Sequence, residues 1–207
     1  KTFHPPAGKF DGVIGGPPCQ AFCSLVHLNR SLGHTPKFGN VIPEFERVVR
    51  EASPAWFLME NVVGAPLPAV PGWTGRDILC DDIAVGGVTS RRRRFTFHVK
   101  FPNLVKSFTV QCVALQTCYQ PERTVTGDAR VASAGQQQKS KRMGGGPLPN
   151  TGIRRSLNTM CELQGLPPSF FAESPFTESA KRQMLGNGVP LPMGRAVAQA
   201  VKQALTA

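Results

Sequence analysis

The chain has 207 residues, 41% of them apolar, which is enough for one core and a smaller lobe. No run of about 18 apolar residues occurs, which excludes a membrane-spanning helix. A formal charge of +11, from 24 Lys+Arg against 13 Asp+Glu, points instead to a polyanionic partner.

That charge is segregated. Between Asp82 and Glu122 lie Arg91 to Arg94, Lys100 and Lys106 with no acid. Between Asp128 and Glu162 lie Arg130, Lys139, Lys141, Arg142, Arg154 and Arg155, again with none. Two acid-free basic tracts favour a nucleic acid over a merely solvated basic face. The cysteines (19, 23, 80, 112, 118, 161) form no CxxC pair and have no histidine at zinc-ligand spacing. The start, Lys1 to Pro6, has no apolar signal core and no Met, as in a processed, trimmed or incomplete chain. Reduced thiols in the cytoplasm, and no metal, are therefore expected.

In chain order, Phe10 to Ile14 predicts a buried strand that runs into Gly15-Gly-Pro-Pro-Cys19. Glycines let the chain bend and prolines then fix it, so Cys19 would sit on a stiff loop at a sheet's edge. A nucleophile and a buried structural cysteine are both compatible with this stretch alone. Ala21 to Asn40 reads as a long polar loop. Pro43 opens a helix to Ala52, with Phe45, Val48 and Val49 on one face and the pairs Glu46–Arg50 and Arg47–Glu51 on the other. Ala55 to Met59 is a continuous apolar run, as in a strand buried on both faces, and it stops at Glu60-Asn61. Strand, helix and strand make a βαβ unit with parallel strands.

A Pro/Gly-rich loop follows from Ala65 to Gly75, then a weak helix at Arg76 to Leu79 and a half-buried strand at Phe95 to Val99. From Pro102 to Gly152 the texture is irregular and basic, with short strands expected around Thr109 to Leu115. Leu157, Met160 and Cys161 mark a short helix ended by Gly165 and Pro167. After Gly186-Asn-Gly188, the residues Met193, Val197, Val201, Ala204 and Leu205 make the apolar stripe of a last helix.

Parallel neighbouring strands end on one edge of a sheet, so Cys19 and Glu60 can converge on one pocket. A carboxylate ending an apolar strand is partly desolvated, which favours its protonated form and suits it to donate a proton. A cysteine beside it needs nearby arginines to favour its thiolate, and Arg91 to Arg94 are the candidates. The bland alternatives are an ordinary ion pair for Glu60 and a phosphate-binding edge for the arginines.

The motifs Gly15-Gly-Pro-Pro-Cys-Gln20, Glu60-Asn-Val62, Arg92-x-Arg94, Leu163-Gln-Gly-Leu-Pro167 and Gly186-Asn-Gly-Val189 occur in the order seen in DNA cytosine-5 methyltransferases. The chain resembles that family from Gly15 to Val189. The resemblance implies an α/β fold: an incomplete Rossmann-like methyltransferase sheet with a small, irregular, basic target-recognition lobe. The body would comprise residues 1–100 and 171–207, and the lobe residues 101–170.

The resemblance also implies roles. Cys19 attacks C6 of a cytosine in double-stranded DNA, Glu60 holds and protonates N3, and Arg94 and Arg92 support the base and Glu60. Gln20, Ser24 and Arg91, with Lys139, Lys141, Arg142, Arg154 and Arg155 of the lobe, would contact DNA. The methyl donor would be S-adenosylmethionine, against Pro18, Val41, Asn187 and Gly188. The target base must leave the duplex, because a stacked base hides C6 from the thiol.

Four positions depart from the family's pattern: Ser90 where it has Gln, Cys23 where it has Ser, and Asn158-Thr159 where it has Arg-Glu. The family's Gly-rich cofactor turn and the two acidic strands after it have no counterpart here, so the cofactor site is incomplete in this chain. A truncated enzyme of a restriction–modification system, assisted by a separate polypeptide that supplies those parts, is the expectation. An inactive DNA-binding remnant and an RNA cytosine-5 methyltransferase are the alternatives.

Overall fold

The protein is described by a computed structural model covering residues 3–22, 39–104, 107–113, 121–122, 130–131 and 153–206. It divides into two compact units, the first made of Lys1–Asp81, Arg92–Gln111 and Ala196–Ala207, and the second of Asp82–Arg91 and Cys112–Arg195.

The first unit carries a four-stranded sheet in the order β1-β2-β4-β3, with β1 Gly12–Gly15, β2 Trp56–Asn61, β3 Thr74–Asp81 and β4 Arg92–Val99. Strands β1 and β2 are parallel, Gly12 opposite Trp56 and Gly15 opposite Met59, as the βαβ pattern predicts. The crossover carries helix α1, Ile42–Ala52, with proline in its first turn and Ser53 in the left-handed region (φ 48°) at its end. Its buried face is Ile42, Phe45, Val49 and Ala52, while Val48 is only half-buried. These side chains share a core with Phe57 and Met59 of β2, where the Phe45 and Phe57 rings meet edge to face at 5.7 Å. On the outer face Arg47 pairs with both Glu44 and Glu51, whereas Glu46 accepts a hydrogen bond from the Ala69 amide rather than pairing with Arg50.

Two expectations change on this side of the sheet. The stretch Arg76–Leu79 is not a helix but part of β3, paired antiparallel with β4 from Thr74↔Val99 to Asp81↔Arg92. Gly75 makes that pairing possible, because a Cβ there would lie 2.0 Å from the Phe97 carbonyl oxygen. Strand β4 also starts three residues earlier than expected, so three of the four arginines lie within it.

The second unit has its own core of Met160, Cys161, Phe171 and Leu185. Helix α2, Leu157–Leu163, is capped by Ser156, whose Oγ accepts from the Thr159 amide at 3.1 Å. Helix α3, Glu178–Asn187, was not foreseen, because only Arg182 and Leu185 of it are buried and its apolar stripe is faint. Helix α4, Leu191–Leu205, buries Met193, Val197, Ala200, Val201 and Ala204, and the boundary between the units falls inside it. In the basic stretch β5, Arg130–Val131, pairs antiparallel with β6, Ile153–Arg154. Thr109 to Val113 form no strand, and 114–115 lie outside the described residues.

Candidate active site

The parallel register brings the end of β1 alongside the end of β2. One residue beyond Gly15↔Met59, a Cβ on Gly16 would lie 3.2 Å from Glu60 Oε2. The missing side chain leaves that space to the carboxylate. Glu60 is about four-fifths buried and its Oε1 is 2.9 Å from Nε of Arg93, itself mostly buried. The pairing follows from the pleat. Glu60 lies opposite Phe95 on β4, and Arg93, two residues from Phe95, projects to the same face.

The next residue, Asn61, is 2% exposed and works in two directions. Its Nδ2 donates to the Pro17 carbonyl at 3.2 Å, and its Oδ1 accepts from the Val62 amide at 2.8 Å. The first bond ties the end of β2 to the Gly-Gly-Pro-Pro loop. The second starts a tight turn closed by Ala65 N donating to Val62 O. Cys19, a half-buried reduced thiol, opens a turn of its own, closed by Phe22 N donating to its carbonyl at 2.9 Å. Gln20 is exposed in that turn.

The four arginines have four different surroundings. Arg91, expected at the DNA, is 2% exposed and donates to the Gly186 carbonyl at 3.1 Å within the second unit. Arg92 is more than half exposed and forms a two-pronged pair with Asp81 at 2.6 and 2.7 Å. That acid holds the guanidinium proton more firmly than usual. Arg93 faces Glu60. Arg94, on the other face, donates to the carbonyls of Val63 and Ala65. The arginine beside Glu60 is thus Arg93, not the expected Arg94 or Arg92, and spacing alone could not have found it.

The other expected residues divide between the two units. Pro18 is exposed on the Cys19 loop, and Val41 precedes α1, its carbonyl accepting from the Glu44 and Phe45 amides. Asn187 ends α3 in the second unit, where the Gly188 amide donates to Met184 O at 2.9 Å. Arg155 sits 3.3 Å from Glu122 and is mostly buried. Arg154 is in β6, while Ser24, Lys139, Lys141 and Arg142 lie outside the described residues. Pro18, Val41 and Gly188 offer only apolar or backbone surface, which gives no group to hold a ribose or a charged tail.

The Leu-Gln-Gly stretch has a structural task that its spacing did not reveal. Gln164, 3% exposed, donates from Nε2 to the Leu185 carbonyl at 2.8 Å and accepts on its own carbonyl from the Leu191 amide at 2.8 Å. It therefore joins the end of α2 to the end of α3 and the start of α4, around the Gly186-Asn-Gly188 turn.

Comparison with known proteins agrees with these motifs. Residues 2–66 match the family described as C-5 cytosine-specific DNA methylase. The Type II methyltransferase M.AquIA of Picosynechococcus is 52% identical over 56 residues, 27% of this chain and 21% of that protein. M1.HphI of Haemophilus parahaemolyticus is 44% identical over 26% of this chain and 14% of its own length. The match thus spans about a fifth or less of these two relatives. M.HgiDI of Herpetosiphon aurantiacus is 27% identical across 86% of this chain and 69% of its own. Among solved structures, Spodoptera frugiperda DNMT2 superposes with a TM-score of 0.56 at 13% identity, covering 93% of this chain and 79% of that one, which supports the methyltransferase fold. The family match covers residues 2–66, and the similarity to M.HgiDI extends over most of the chain, in line with the five ordered motifs and the sheet.

Proposed function

We propose that this chain carries the base-modifying half of a DNA cytosine-5 methyltransferase, with Cys19 as nucleophile and Glu60 as proton donor. One observation carries the reading. The Cys19 turn and the Glu60–Arg93 pair stand at the ends of two parallel strands tied together by Asn61. A Cys and a carboxyl group held at one sheet edge suit addition to an electron-poor ring.

In that reaction the Cys19 thiolate forms a bond to C6, and the C5–C6 π electrons move through the ring toward N3. Glu60 in its acid form gives N3 its proton, and the same steps in reverse release the base. Arg93 orients the Glu60 carboxyl group and offers its remaining N–H groups to the base. Methyl transfer to C5 requires S-adenosylmethionine, which the residues at hand do not hold by themselves. Strands added beyond β1, from adjoining chain or a separate polypeptide, would complete its site. Ile14 on that outermost strand is 70% exposed, an apolar side chain such an addition would cover. The lobe around β5 and β6 would then read the target sequence.

Because the addition step needs no methyl donor, it can be tested on the chain itself. A random-sequence duplex pool carrying 5-azacytosine should be captured covalently, and peptide mapping should place the link on Cys19. Cys19→Ser should abolish capture, and Glu60→Gln should slow it about 100-fold or more. Folded protein that binds the pool without capture would overturn the reading in favour of DNA binding alone. Faster capture of a single-stranded RNA pool than of DNA would move the substrate to RNA.

A further inference from the structure

We propose that Arg94 is a positioning residue that holds the Cys19 loop in register with Glu60, and not a residue that contacts the base. The inference rests on the reading of Cys19 as the nucleophile. Arg94 and Asn61 are opposite one another on neighbouring strands, on the face away from Glu60 and Arg93. From there the Arg94 guanidinium spans the turn that follows Glu60-Asn61, with Nη1 2.9 Å from the Ala65 carbonyl and Nη2 on the Val63 carbonyl. Two charge-assisted bonds from one planar group fix both the position and the tilt of the turn. Asp77 Oδ2 lies 3.8 Å from Nε, an ion pair without a hydrogen bond.

That turn is in contact with the nucleophile's own. A Cβ on Gly64 would lie 3.3 Å from the Phe22 carbonyl, and Phe22 N closes the turn that Cys19 opens. Asn61 meanwhile grips Pro17 on the near side of Cys19. The Cys19 loop is therefore held at Pro17 by Asn61 and met at Phe22 by Gly64, and Arg94 anchors the turn that carries Gly64. A lysine could reach one of the two carbonyls but could not span both.

The test compares wild type with Arg94→Met, Arg94→Lys and Gly64→Ala, the last disturbing the same contact without touching the arginine. Four quantities are followed in the full chain: amide hydrogen exchange across 61–65, the rate at which iodoacetamide labels Cys19, affinity for the 5-azacytosine duplex pool, and the maximal rate of capture. In Arg94→Met, exchange should rise about tenfold and the capture rate should fall by about 10- to 100-fold, while affinity stays within about twofold. Arg94→Lys should recover part of the rate, and Gly64→Ala should reproduce the split between rate and affinity. Affinity falling together with rate at unchanged exchange would make Arg94 a DNA contact and overturn the proposal. Should wild type fail to capture DNA, the functional reading falls, yet exchange and Cys19 labelling still decide the role of Arg94. Unchanged values of both in Arg94→Met would overturn it.

Discussion

The methyl group that Gly16 lacks would stand 3.2 Å from Glu60 Oε2, and Arg93 fixes the other oxygen of that carboxylate at 2.9 Å. Glu60 thus lies against Gly16, which leaves it space, and is anchored on its other oxygen by a guanidinium. Arg92, one residue before Arg93, points the other way and pairs with Asp81 at a well-exposed position. Exposed pairs of this kind contribute about 0–1 kcal/mol, whereas removing one partner of a mostly buried pair leaves a charge without its counterpart. Arg93→Met should therefore slow capture of the 5-azacytosine duplex about 100-fold, while Arg92→Met should change it less than about twofold. Single-turnover capture rates of the two variants, measured side by side, check this; equal losses would return the role to Arg92. The local sequence shows why the register was ambiguous. In a run of four identical residues the spacing Arg-x-Arg fits Arg91/Arg93 as well as Arg92/Arg94, and only the pleat opposite Glu60 decides between them.

At the scale of elements, the half-buried first unit was more legible than its edge. The β1–α1–β2 unit follows from a glycine-ended apolar run, a proline-started amphipathic helix and a second apolar run, each with a distinct pattern. Strand β3 has no such pattern because it is the sheet's outer strand, with only Cys80 fully buried along it. Without a buried face there is no alternation to read, and the mixture Arg-Asp-Ile-Leu resembles a helix turn as closely as a strand. The strand next to that edge contains a pH-sensitive contact. His98 on β4 lies 5.1 Å from the Phe57 ring, centre to centre, and its Nδ1 is buried with no hydrogen-bond partner. Burial lowers its pKa, which Asp77 only partly offsets. The unfolded chain then takes up this proton first as pH falls through about 6.5. The contribution to stability is complete above that value and is lost as the pH falls from there toward the lower folded value. Urea unfolding should show stability falling as the pH drops below about 6.5, and His98→Phe should flatten that slope. Glu44 and Glu51, held low by Arg47, lose their contribution only at the lower carboxylate range, so the two windows separate. An unchanged slope in His98→Phe would assign the loss to other groups.

Across the whole molecule, charge was the feature read most directly from the sequence, and the fold redistributes it. Of the twelve basic residues in the two acid-free tracts, Arg91 is buried, Arg93 and Arg94 are committed to Glu60 and backbone carbonyls, Arg92 faces Asp81, and Arg155 pairs with Glu122. A count of charge along the chain could not anticipate this, because an arginine's long side chain goes wherever a carboxylate or a run of carbonyls needs it. The first tract is therefore mainly architectural, and a polyanion has to find its counter-charges elsewhere. Lys139, Lys141 and Arg142 are the densest remaining cluster by sequence. If they meet phosphates, each releases counterions on binding, and neutralising all three to Gln should reduce the slope of log affinity against log salt by about 2 to 3. Neutralising Arg92 together with Lys100 should barely change that slope, since Arg92 is already paired with an acid and Lys100 donates to Ser53 and lies over Trp73. Titrations of duplex DNA at several salt concentrations, on the two multiple variants and wild type, distinguish these outcomes. An unchanged slope in the Lys139, Lys141 and Arg142 variant would transfer the electrostatic footprint to the Arg92–Lys100 strand, and with it the face on which duplex DNA approaches Cys19.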